Sequence, residues 1–267
     1  MHIAQHRSEF SWRSSFAWEQ ITPWLVPAGL VIIWQLLSEF GLIPSRILPA
    51  PIQIVEAAIR LASTGELFRN VSISLYRALI GFAIGGGIGL LLGVLNGLSK
   101  PAELLLDGSL QMIRNIPHLA LIPLVILWFG IGDQARIFLV ILGVFFPIYI
   151  NTFAGIRSID PNLLEMGRVY GLNQRELFWQ IVLPGALPSM LVGLRYALGL
   201  MWLTLIVAET IAANSGIGYM AMNAREFMQT DVVVLSILLY AISGKLADSI
   251  VRILEKWLLP WHPSQQT

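Results

Sequence analysis

Four stretches of this sequence run for 18 to 22 residues without one charged side chain: 20–38, 78–99, 115–132 and 137–156. A helix needs about 20 apolar residues to cross ~30 Å of hydrocarbon. A helix is also what such a stretch must become there, because hydrocarbon offers no partner for an open peptide group. Two further windows are less clean. The window 188–211 carries Arg195 and Glu209, and 232–250 carries Lys245 and Asp248. Six spans are therefore expected. Only 12% of the residues are charged, against about 25% in soluble domains, too few to coat a water-soluble globule. The expected fold is all-α, a polytopic membrane helix bundle, with the lipid bilayer as its solvent.

Several function classes drop out at once. The net charge is +1 with no run of Lys or Arg, so nothing tracks nucleic-acid phosphates. Cysteine is absent, which removes disulfides and thiolate metal sites. His2, His6, His118 and His262 are too scattered for a metal cluster. No H-E-x-x-H or G-x-S-x-G occurs, and no carboxylate pair lies within the spans, so no catalytic residue is assigned. No metal or other cofactor is called for.

The chain divides into a tail at 1–20, a first span at 21–38, a segment at 39–75, a core at 76–255 holding a loop at 157–187, and a tail at 256–267. Arg7 and Arg13 precede the first apolar stretch as in a signal peptide. That stretch begins late and no small-x-small cleavage site follows Leu37, so it reads as a retained span. With six spans, both termini share a side with loops 99–114 and 157–187. That side collects eleven Lys and Arg residues, including Arg114, Arg157 and Arg195. The other has six: Arg46, Arg60, Arg69, Arg77, Arg136 and Arg225. The bias places both termini in the cytoplasm. Phe10, Trp12, Phe16, Trp18 and Trp24 fit an aromatic anchor at that interface. In segment 39–75, Ile52, Val55, Ile59 and Ala62 share one face of a short helix that lies on the interface or caps the bundle, with Glu56 and Arg60 at i,i+4.

Gly81, Gly85, Gly89, Gly93 and Gly97 recur every fourth residue in the second span. That spacing makes one smooth stripe on which a neighbouring backbone can close. The run 85–90 lacks the preceding strand and following Gly-Lys of a phosphate loop. No G-x-x-x-x-G-K-[ST] occurs anywhere, so any ATP chemistry must belong to another subunit.

Loop 157–187 is longer than a bare connection needs. Asp160 is a good N-cap, Pro161 suits the first helical position, and Gly171 can end the helix left-handed. Asn173 and Glu176 form a second capping box, opening a helix expected to stop before Pro184. Two short helices follow, as an ordinary folded loop or as a docking surface.

Glu165-Met166-Gly167, Gly171, Ile181 and Leu183-Pro184 have the spacing of the EAA loop that marks permeases of binding-protein-dependent ABC importers. Met166 and Gly167 stand where the family has alanines. From about residue 77 to 248 the chain resembles the aliphatic sulfonate permeases, through "RALIGFAIGG", "QMIRNIPHLALIPLVILWFGI", "FPIYINT", "LPGALPS" and "ALGLMWLTLIVAETIAANSGIGYMAMNAREFMQTDVVV". Permeases for taurine, nitrate and similar compact anions share the skeleton more loosely. The resemblance implies a type I ABC importer permease (MetI-like) fold in the cell inner membrane, working as a homodimer. It implies two copies of an ABC ATPase subunit and a periplasmic sulfonate-binding protein as partners. It makes the 157–187 loop the element that seats in the ATPase, with Glu165 orienting it.

Polar groups inside spans are costly and are weighed singly. Arg114 and His118 fall one turn apart at the inner mouth of span three, where Arg114 reads as an anion attractor or a positive-inside anchor. Glu209, followed by Asn214, reads as a path-lining group or as a carboxylate holding a helix break, and the break is preferred because a lone carboxylate would repel a sulfonate. Lys245 and Asp248 are expected to pair. A gradient-driven carrier is the rival reading, and it has no use for the capped loop.

Overall fold

A computed structural model describes residues 15–261, and every regular element in that range is helical. Eleven helices follow in order: α1 (Ser15–Glu39), α2 (Pro51–Ser63), α3 (Glu66–Leu98), α4 (Lys100–Arg114), α5 (Ile122–Phe129), α6 (Asp133–Arg157), α7 (Pro161–Val169), α8 (Gln174–Leu177), α9 (Leu183–Ala212), α10 (Ile217–Glu226) and α11 (Thr230–Leu258). Among the described residues four rods are long and apolar enough to cross a membrane: α3, α6, the continuous 174–211 rod and α11. A fifth span exists if α4 and the 118–129 helix count as one bent crossing, and the described apolar part of α1 is shorter. The first helix begins inside the expected tail 1–20, α3 begins inside segment 39–75, and α11 runs into the expected tail 256–267. Of the anchor aromatics, Phe10, Trp12, Phe16, Trp18 and Trp24 have side chains outside the described ones, as do His2, His6, Arg7, Arg13 and His262.

The glycine stripe sets the packing. A Cβ placed on Gly81, Gly85, Gly89, Gly93 or Gly97 would come within 2.5–2.9 Å of α6 atoms at Val140, Ile141, Phe145, Thr152 and Ile156 respectively. At Gly85 and Gly89 the obstacle is α6 backbone oxygen, which cannot swing aside. Helices α3 and α6 therefore run parallel and lie in close contact from Gly81 against Val140 to Gly97 against Ile156. Helix α9 packs on the next face of α6, with Gly143, Gly155 and Gly193 at the crossing. Helices α10 and α11 close the other side of α9.

Three expectations are corrected. Span 115–132 is not one rod: the chain runs as α4, breaks at Asn115–Pro117, and resumes as a 3₁₀ turn (His118–Leu121) and α5, bent by 79°. Pro117 lacks an N–H and steers Ile116 away from helix, which ends α4 there. Loop 99–114 is accordingly helical, capped by Ser99 Oγ accepting from Ala102 N. The helix from Gln174 does not stop before Pro184. A π-helical turn at Phe178–Val182 carries it on, with Leu183 N bonding five residues back to Phe178 O. This widened turn accommodates the missing proline N–H. In α2, Ile52, Val55 and Ile59 do share one face, which is exposed, and Ile54, Ala57 and Leu61 on the other side are buried, but the expected Glu56–Arg60 pair does not form. Arg60 reaches Asp231 of α11 at 2.9 Å in preference to Glu56.

Adding a methyl at Gly85 is expected to push α6 off α3, costing about 1–3 kcal/mol. Gly87, with open space around its Cβ position, should take the same methyl with little loss. Thermal unfolding of Gly85→Ala and Gly87→Ala in detergent checks this. Equal melting temperatures would sink the backbone-contact account.

Candidate functional site

At one end of the bundle, loop 157–187 folds as the capping residues direct. Asp160 Oδ1 accepts from Asn162 N at 2.9 Å, and Pro161 opens α7. Gly171 sits at φ +84°, with Gly171 N bonded to Arg168 O and Leu172 N to Gly167 O. These paired bonds close the last turn of α7 and require the left-handed residue. Asn173 Oδ1 accepts from Arg175 N and Glu176 N, and Glu176 Oε2 accepts from Asn173 N. Gly167 is buried, with Ile181 Cδ1 only 2.7 Å from where a Cβ would stand. The small residue of the motif thus seats α7 across the π-helical turn. Leu183 and Pro184 are half-buried at the start of α9. Glu165 and Met166 face outward, and so do Leu163, Val169, Tyr170 and Trp179. A docked protein would cover this apolar surface.

At the far end Glu209 is fully buried and binds the break between α9 and α10. Its Oε1 accepts from Arg77 Nη1 at 2.7 Å, and its Oε2 accepts from Tyr240 Oη at 3.0 Å and Gly218 N at 2.9 Å. Ser74 Oγ stands 2.8 Å from both carboxylate oxygens and accepts from Ile217 N. Gly216 N donates to Asn70 Oδ1. The amides of the N-cap Gly216 and of the first two residues of α10, which no helical turn can satisfy, are thereby held by side chains of α3 and α9. Gly216 has φ +109°, and a Cβ there would overlap the Glu209 carboxylate. Arg77, 1% exposed, also donates to Ser215 O, Ser215 Oγ and Asp133 Oδ1. The structure therefore places Glu209 in the break-holding role, surrounded by donors. Asn214 lies exposed in the break, beside a cavity of about 450 Å³ shared with Arg69, Ser215 and Tyr219.

Arg77 and Arg136 had been counted as charges on the outer side. Both are buried, with Asp133 2.7 Å from Arg77 and 3.2 Å from Arg136, which takes two of the six from that tally. Lys245 stands 4.0 Å from Asp248, whose shorter contacts are to Arg252 at 2.9 Å and Arg195 at 3.4 Å. Sequence reasoning missed Arg77, Ser74 and Asn70 as site residues. The signal was present: 70, 74 and 77 continue the glycine stripe of α3 by one more helical face.

Arg114 and His118 do not lie one turn apart on a helix, because the break separates them. Arg114 is exposed at the end of α4. His118 Nε2 lies 3.2 Å from Thr204 Oγ1 of α9. Thr204 is some eight residues, ~12 Å, from the far end of α9. His118 is thus deep in the span and not at its mouth.

Among described residues no cluster of three His, Cys, Asp or Glu that would hold a metal occurs. The model of the family "Binding-protein-dependent transport system inner membrane component" matches residues 85–260. The chain is 61% identical, over 92% of its length and 93% of the relative, to the transport permease protein SsuC of Escherichia coli (strain K12), named for aliphatic sulfonates. It is 48% identical to the protein of the same name from Bacillus subtilis (strain 168), covering 91% and 88%. It is 34% identical to the taurine transport system permease protein TauC of Escherichia coli, covering 90% and 89%. Among solved structures, an amino acid ABC transporter shares the fold at a TM-score of 0.60 and 16% identity, covering 74% of this chain and 97% of that one. The methionine ABC transporter MetNI, in an inward facing conformation, follows at 0.55 and 24%, covering 70% and 95%.

Removing one partner from a buried ion pair strands the other, at about 3–5 kcal/mol. Arg77→Met should lower stability by that amount in denaturant titrations of the detergent-solubilised protein. Tyr240→Phe should cost nearer ~1 kcal/mol, as one hydrogen bond among several. A loss below that of Tyr240→Phe in Arg77→Met would contradict the buried lock.

Proposed function

The chain belongs to the family of binding-protein-dependent transport system inner membrane components, and from that premise we propose that it is the permease of an ATP-driven importer carrying aliphatic sulfonates. The observation that carries the substrate is the 61% identity, across nearly the whole of both chains, to a permease named for those compounds. The relative named for taurine stands at 34%, which makes taurine, or another compact anion, the second reading.

The chain has no nucleotide-binding motif, so ATP is hydrolysed by a separate ABC ATPase and the permease is not itself an enzyme. Two ATPase copies dock on a homodimer of this chain, and a periplasmic binding protein delivers the anion. Loop 157–187 is the coupling element. Its outward apolar residues supply the contact area, Glu165 orients α7, Gly171 permits the turn, and Gly167 against Ile181 passes a push on α7 to the rod that continues through Leu183 and Pro184. The basic residues on the loop side, ten once Arg114 at the elbow is set apart from the eleven, support a cytoplasmic location for that end and both termini. ATP-driven closure then biases the permease between inward-open and outward-open states.

Cells lacking only this gene should lose uptake of labelled ethanesulfonate and regain it on complementation, while taurine and nitrate uptake are unchanged. Loss confined to taurine would move the substrate and keep the importer. In the complemented strain, Glu165→Lys is expected to leave the permease in the membrane but lower uptake about tenfold or more while ATP hydrolysis continues. Normal uptake by that variant would refute the docking role of the loop.

A further inference from the structure

Helix α4 carries a polar stripe at Lys100, Glu103, Asp107, Gln111 and Arg114, spaced so that all fall on one face. Leu105 and Met112, on the opposite face, are exposed, and no α4 residue is buried. The carboxylates of the stripe have donors within the chain. Glu103 is bound by Lys100 and by Arg157. Asp107 Oδ1 accepts from Tyr149 Oη at 2.9 Å and from Gln111 Nε2 at 3.2 Å. Arg114 has no ion pair or hydrogen bond among the described residues. His118 has only Thr204, through Nε2, so its Nδ1 is unpartnered. The elbow between α4 and α5 therefore presents surplus donors and no free carboxylate.

Depth decides what those donors face. The contact with Thr204 holds His118 ~12 Å inside the far end of α9, and Arg114 is only four residues away. An arginine anchoring at the membrane surface would sit at the end of a span, whereas this one stands at the elbow inside it. An unpaired guanidinium facing hydrocarbon is costly, and such residues line aqueous paths. We propose that Arg114 and His118 form an anion contact point in the translocation path, where the permease itself reads the sulfonate group. This rests on the importer reading above and adds a selection step within this chain, beyond the binding protein. The planar guanidinium fork matches two sulfonate oxygens. In the tautomer whose Nε2 accepts from the Thr204 hydroxyl, the His118 proton sits on Nδ1 and serves the third. A single unburied charge holds the anion weakly enough to let it go, as conduction requires.

The absence of native cysteine makes the test clean. Arg114→Cys is introduced into the full-length permease, assembled with its partners in proteoliposomes. It is treated with sulfonatoethyl methanethiosulfonate, an anionic impermeant thiol reagent, and with its trimethylammonium counterpart. The anionic reagent is expected to label the chain, and ethanesulfonate to slow that labelling several-fold. No labelling by either reagent would place the position in lipid or against protein and overturn the proposal, and so would labelling that ethanesulfonate leaves unchanged. In cells, Arg114→Gln and His118→Gln should each lower ethanesulfonate uptake about tenfold at equal membrane abundance, with Arg114→Lys recovering most of it. Uptake within twofold of the parent for both Gln variants would also overturn it. If the unmodified permease takes up no ethanesulfonate, the substrate assignment above fails, and labelling by the anionic reagent still decides whether the elbow lines an anion path.

Discussion

Everything in this bundle hangs on the contact between α3 and α6. In hydrocarbon, apolar side chains gain nothing by leaving lipid for one another, so helices associate through close packing and polar bonds. Five glycines on α3 let α6 approach until its carbonyl oxygens lie where side chains would be. That pair fixes the faces left for α9, and α9 in turn fixes α10 and α11. The same stripe, continued past Gly81, turns polar at Arg77, Ser74 and Asn70 and becomes the lock on Glu209. One face of one helix thus supplies both the packing seam and the polar clamp.

The two polar assemblies inside the membrane differ in one physical respect. Around Glu209, donors and acceptors are matched, and Glu209 and Arg77 are shut away from solvent: carboxylate, guanidinium, hydroxyls and the amides at the start of α10 all find partners. Such a network rigidifies, and it is costly to open because each member would be stranded in low dielectric. Around the elbow, α4 buries nothing and the donors outnumber the acceptors. A matched, buried set holds a fold, and an unmatched, exposed set at membrane depth calls for water and a passing partner. That contrast separates structure from function more reliably than the presence of a charge in a span.

Much of this was legible in the sequence, and the failures share a cause. The charge-free windows 78–99 and 137–156 fall within long apolar helices, α3 and α6, and the caps at Asp160, Gly171 and Asn173 were read correctly because capping is local chemistry. The glycine stripe was legible because its period is that of the helix. Pro184 was expected to stop a helix, whereas Pro117 was passed over inside the 115–132 window. Both lack the N–H, but Pro117 stands where the chain bends by 79°, while a π-helical turn carries Pro184 through without a break. Arg77 was read as a loop charge because its partners, Asp133 and Glu209, are 56 and 132 residues away. No window on the chain contains that information.

The continuous rod 174–211 ties these features together mechanically. Its first turns carry Ile181, the residue on which Gly167 seats α7. Further along it carries Thr204, which holds His118 at the elbow. Its last turns carry Glu209, clamped to α3, α10 and α11. On the proposed coupling role of the loop, a push on α7 would enter the helix that touches the elbow at Thr204 and is clamped at Glu209. The glycine that makes the loop seat, the threonine that holds the histidine and the glutamate that closes the break act through one helix.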